Sequence, residues 1–171
     1  MTDSDASFWT FSLTTFANAS VAHACLDLQD GLGIDVNILL FMLWCARHRR
    51  RLSARDVGNV VNLAKGWQAD VVRPLRLVRS ILKRPAPNWP AIQTRGLRES
   101  VKAAELEAER LQQEAMAASI PVTEIGLPDT IDAAAAANLN AYAEFARVAF
   151  PETHVAVLLS CLAETPHTES R

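Results

Sequence analysis

Apolar residues along this chain recur at intervals of three and four, while strand-type alternation bounded by turn residues is scarce. The pattern predicts an all-α fold, a compact single-domain bundle of about six to seven helices around a central apolar helix. Ser7 stands where a cap for a helix over Phe8–Phe16 is needed, and Asn18-Ala19-Ser20 restarts the helix toward Gln29. Gly31 and Gly33 stop it. Asp35 then opens Val36–His48, which is apolar nearly all round and reads as the buried centre. Ser53-Ala54-Arg55-Asp56 has the form of a capping box, with Val57, Val60, Val61 and Ala64 on the face that follows. Gly66 or Pro74 is expected to end or kink that helix.

The second half has a different texture. From Arg73 to Arg84 the wheel puts Arg73, Arg76, Arg79, Lys83 and Arg84 on one side and Leu75, Leu77, Val78, Ile81 and Leu82 on the other. The proline-rich connector, residues 84–92, cannot continue it. Beyond it Leu97, Val101, Ala104, Ala108, Leu111, Ala115 and Ala118 recur in alternating steps of four and three, the seam of a helix that lies against a neighbour. Glutamates stud the rest of that helix, so an antiparallel hairpin with the basic helix is the expected partner arrangement. Asp129 is placed to cap an alanine-rich helix to Ala149, and Pro151 to open a last one. The domain is expected over residues 7–164, with residues 1–6 disordered and 165–171 frayed.

With 171 residues, half of them apolar, the chain can bury one core. Its net charge of −2 hides two unlike stretches. Arg47–Arg84 holds 11 Lys/Arg against Asp56 and Asp70, whereas Glu99–Glu144 holds 9 acids against Lys102 and Arg110. Cys25, Cys45 and Cys161 are odd in number and set among apolar residues, which suits free thiols in a reducing, cytoplasmic setting. Asp3 and Asp5 replace the cationic start of a secretory leader, and Ile38–Ala46 is far shorter than a membrane span.

Candidate chemistry is concentrated between His23 and Arg51. His23, Asp27 and Asp30 share one helix face and are the candidates for acid–base work. Gln29, Asp35, Asn37 and Trp44 are the ligand-binding candidates, although Asp35 and Asn37 also suit a helix start. No HExxH, CxxC, GxGxxG, GxxxxGK[ST] or GxSxG is present, so no metal, cofactor or phosphate loop is expected and a non-enzymatic role is favoured. The basic positions Arg47, Arg49, Arg50, Arg51, Arg73, Arg76, Arg79 and Lys83 suit phosphate contacts, or else pairing with the glutamates between Glu99 and Glu114.

The run Ser7-Phe8-Trp9, Cys25-Leu26-Asp27-Leu28-Gln29-Asp30, Asp35-Val36-Asn37-Ile38 and Trp44, followed by Trp67, Val72–Lys83 and Glu105–Arg110, resembles an uncharacterised proteobacterial family. The resemblance spans roughly Ser7–Met116, its most specific part being the Leu-Gln-Asp…Asp-Val-Asn core. It implies a bacterial, helical protein and names no activity. Three functions follow in order of preference. The first is a cytoplasmic interaction or regulatory module that binds a protein partner or self-associates. The second is a small-ligand-binding protein or enzyme with its site at His23–Asn37. The third is a nucleic-acid-binding accessory protein that uses Arg47–Arg84.

Overall fold

Capping side chains set the first helices. In the computed structural model, which describes residues 7–163, Ser7 Oγ accepts from the Thr10 amide at the start of α1 (Phe8–Ala17). Asn18 Oδ1 accepts from the Ser20 and Val21 amides to open α2 (Ala19–Leu32). Asp35 Oδ1 accepts from the Asn37 amide to open α3 (Val36–Arg47). Each oxygen answers a backbone donor that has no partner inside its helix. Gly33 ends α2 at φ 69°, a left-handed cap that needs no Cβ, while Gly31 stays within the helix. The segments expected to be disordered or frayed, 1–6 and 165–171, lie outside the described residues.

The chain continues through β1 (Arg50–Arg51), α4 (Ala54–Trp67), a π-helical stretch (Gln68–Val72), α5 (Arg73–Ile81), α6 (Ala91–Ser119), β2 (Leu127–Pro128), α7 (Ile131–Ala146) and α8 (Glu152–Ser160). The described residues are all-α, apart from an antiparallel ladder in which Arg50 faces Pro128 and Arg51 faces Leu127. The capping box at α4 forms, with Asp56 Oδ2 accepting from the Ser53 amide and Ser53 Oγ from the Asp56 amide. Thr130 rather than Asp129 caps α7, its hydroxyl accepting from the Ala133 amide. The chain falls into two compact units, one joining residues up to Gly58 with those from Pro121, the other Asn59–Ile120.

In the first unit α3 is the centre, buried at every position from Val36 to Ala46. It packs chiefly on α7, and also on α1, α2 and β1, while α8 closes on α2 and α7. Phe8 stacks on Trp44 at 5.1 Å and meets Phe41 edge-on at 5.3 Å, so α1 is fastened to α3 through aromatic faces. The polar link is Asn138. Fully buried in α7, it donates to Met42 O at 3.1 Å and Arg50 O at 3.0 Å and accepts from the Leu52 amide at 2.7 Å. Tyr142, one turn on, accepts from the Asp35 amide. Cys25 and Cys45 are buried free thiols, and burial pushes Cys25 up to about 12, far from the thiolate form at neutral pH.

In the second unit the helical winding passes Gly66 without a break and changes pitch just ahead of Pro74. Proline has no N–H for the Asp70 carbonyl, and the chain answers by widening one turn, with the Arg73 amide donating to Gln68 O five residues back. The buried line through Val60, Ala64, Gln68 and Val72 therefore runs on to Arg76 and Arg79. Leu77, Val78 and Ile81 are exposed. Opposite lies the 29-residue α6, antiparallel to α5, since Arg76 meets Glu109 and Arg79 meets Glu105. The expected hairpin forms, yet the face that packs is turned from the apolar seam and shares only Ala108 with its buried positions. Glu105, Ala108, Gln112, Gln113 and Met116 are buried, while Leu97, Ala104, Leu111, Ala115 and Ala118 are exposed.

Three substitutions at two positions test the first unit. Asn138→Ala leaves two carbonyls and one amide without their side-chain partner, and a loss of about 2–4 kcal/mol in denaturant unfolding is expected. Asn138→Asp should cost more, because a carboxylate set against two carbonyl oxygens is both repelled and desolvated. Gly126→Ala should cost at least about 2 kcal/mol, since φ is 66° and the added Cβ would run into the Arg51 carbonyl oxygen.

Candidate functional site

The polar residues between His23 and Asn37 separate into an outer and an inner set. His23, Asp27 and Asp30 stand on the exposed side of α2. Asp27 Oδ2 lies 3.3 Å from His23 Nε2 and 3.2 Å from Nε2 of His154, so this carboxylate ties α2 to α8. Gln29 Nε2 reaches Asp30 Oδ1 only at 3.5 Å, the edge of a hydrogen bond. Asp35 and Asn37 are buried, the first committed to the helix start and held at its backbone by Tyr142. Trp44 is enclosed by Phe8, Phe41 and His48. Among the described residues no group of three or more His, Cys, Asp or Glu is disposed to hold a metal ion.

An open groove of about 820 Å³ in the first unit is lined by Arg51, Ser53, Asp56, Glu124, Asn140 and Glu144 among others. Of the candidate site residues read from sequence, Arg51 alone lines it. Two of its carboxylates already have duties, Asp56 in the cap of α4 and Glu144 in accepting from Asn140 Nδ2 at 2.8 Å.

The basic positions have different commitments within each unit. Arg50 turns inward, its guanidinium donating to the carbonyls of Ile125 at 2.6 Å and Gly126 at 2.8 Å. Arg51 lies 3.8 Å from Asp129, and Arg47 is half-buried. Arg49 is exposed at φ 58°, and Arg73 and Lys83 are exposed on the second unit. Arg76 and Arg79 face α6 instead. Arg76 Nε donates to Glu105 Oε1 at 3.0 Å and its Nη2 to Glu109 Oε1 at 2.9 Å, while Arg79 grips both Glu105 oxygens. Burial works against a charged Glu105, but the hydrogen bonds from Arg79 and then Arg76, with their Coulomb attraction, outweigh it and hold the carboxyl below its ordinary range. Trp67 adds a neutral bond, its indole N–H donating to Ala108 O at 2.9 Å.

This zip has an outward consequence. With its arginines spent on α6, α5 presents Leu77 at 61 %, Ile81 at 59 % and Val78 at 43 % exposure, and α6 presents Leu97 at 54 % and Leu111 at 41 %. One helical hairpin thus carries large aliphatic side chains in the solvent on both rods, which isolated surface leucines do not explain. Sequence reasoning found the residues and missed the orientation. It also missed Asn138, Tyr142 and His154, of which Asn138 had a signal, a poor helix former set in an alanine run.

Because Glu105 is held below the ordinary carboxylate range, its contribution is present above that range and is lost as pH falls through the lowered folded value. Acid titration of the chain, followed by Trp67 fluorescence, should show the second unit loosening on that limb. Glu105→Gln should flatten the limb and cost about 1–3 kcal/mol at neutral pH, because two half-buried guanidinium groups lose their shared carboxylate.

No curated protein and no solved structure matches this chain. No helix among the described residues is long and apolar enough to cross a membrane. A family model does match, over residues 7–116, its description being "Protein of unknown function (DUF2390)". The matched stretch runs from the cap of α1 through the buried α3, the π-helical turn and the Arg76–Arg79–Glu105 zip to Met116 of α6. The chain belongs to the DUF2390 family.

Proposed function

We propose that the protein is a helical interaction module whose docking element is the α5–α6 hairpin. One observation carries the reading: the hairpin closes through arginine–glutamate contacts and leaves Leu77, Val78, Ile81, Leu97 and Leu111 in water. Each of those side chains forgoes burial worth roughly 1–2 kcal/mol on an area basis, and a partner helix laid on them recovers it. The internal commitments of Asp35, Asn37, Arg50, Arg76 and Arg79 favour this reading over a small-molecule site at His23–Asn37 or a phosphate grip along Arg47–Arg84.

A photo-crosslinking amino acid placed at Leu77 in the full chain, expressed in the organism of origin, tests the reading. Covalent protein adducts are expected at Leu77 and at Ile81, well above those from the same group at Leu127, an exposed leucine of the first unit. Equal yields at all three positions, or none at any, would sink it.

A further inference from the structure

We infer that the occupant of this face is a second copy of the same chain, the α5 stripe of one molecule lying on the α6 seam of the other and the reverse; the inference rests on the docking role proposed above. Along α6 the residues Leu97, Val101, Ala104, Ala108, Leu111, Ala115 and Ala118 keep the four-and-three spacing of a helix that runs beside another helix. Its own α5 does not take that place. It lies on the neighbouring face at Glu105 and Glu109, so the outer side of the seam is exposed. The alanines permit close approach of a further helix.

Charge says which helix fits. On the side of the seam away from Glu105, α6 carries exposed Glu107 and Glu114, which share the single guanidinium of Arg110. On α5 the exposed aliphatic stripe begins beside exposed Arg73, and exposed Lys83 and Arg84 follow in the turn just past the helix end. An apolar stripe edged by cations and an apolar seam edged by carboxylates are complementary, and every copy carries both. A two-fold arrangement makes the α5-to-α6 contact twice in one isologous interface, which a partner offering only one such helix does not achieve.

Sedimentation and light scattering of the full chain at about 100 µM should give twice 18.7 kDa, with dissociation on dilution. Leu77→Ser with Ile81→Ser should weaken the dimer at least tenfold while helical circular dichroism is unchanged. The decisive measurement is a charge exchange. The Arg73→Glu/Arg84→Glu chain and the Glu107→Lys/Glu114→Lys chain should each be largely monomeric alone and form a one-to-one heterodimer when mixed, since each then supplies what the other lacks. A wild-type monomer at that concentration, or a dimer indifferent to both the leucine and the charge changes, would overturn the inference. If the isolated chain is monomeric while Leu77 still crosslinks to a different protein in cells, the second copy is wrong and the docking role stands.

Discussion

A single carboxylate, Glu105, decides which side of the second unit meets water. Taking that charge out of solvent is costly unless cations follow it, and the two that follow are Arg76 and Arg79. Once they point at α6, the helix that carries them has no freedom left to turn its leucines the same way. Across this pair of helices two arginines and a glutamate turn inward while three aliphatic side chains of α5 turn outward. Stability of the hairpin then depends on a network that includes Glu109 and the Trp67 indole, and on few apolar side chains.

The first unit is organised on the opposite principle. Its centre is a helix buried at every position from Val36 to Ala46, and its polar contacts are mostly neutral. Asn138 gives both its donors and its carbonyl to backbone groups of α3 and of the strand segment, so a buried amide does there what a buried ion pair does in the other unit. Neutral hydrogen bonds of this kind change little with pH or salt. The two units therefore differ in which solution conditions disturb them, the hairpin yielding to acid and the α3 core to lost packing.

Much of this was legible in the sequence because local signals and tertiary packing agree. Ser7, Asn18, Asp35 and the Ser53–Asp56 box cap where capping chemistry says they should, and the run from Ile38 to Ala46 is central because nothing on it can face water. The reading failed where two signals competed. Apolar spacing along α6 points to Leu97–Ala118 as the packed side, but the pull of two guanidinium groups on Glu105 won, and spacing alone carries no information about that contest. The π-helical turn escaped notice for a related reason, since Pro74 announces a disturbance without saying whether the helix bends, ends or widens. Of the candidate chemistry, the division of the His23–Asn37 cluster into an exposed set and a capping set depends on Tyr142 and His154, more than 100 residues away along the chain, and no local pattern reports them.

The widened turn at Gln68–Val72 acts as a phase setter. Each residue advances a helix by about 100°, so the extra residue held in that turn fixes the rotational setting of everything after it. Wound as a regular α-helix, the same sequence would set Leu75 where Arg76 now stands and Val78 where Arg79 stands, and the rod beyond would offer aliphatic carbon to its neighbour and cations to the outside. The difference between a self-contained hairpin and one that offers its leucines outward is thus one residue of helical pitch, stored in that turn.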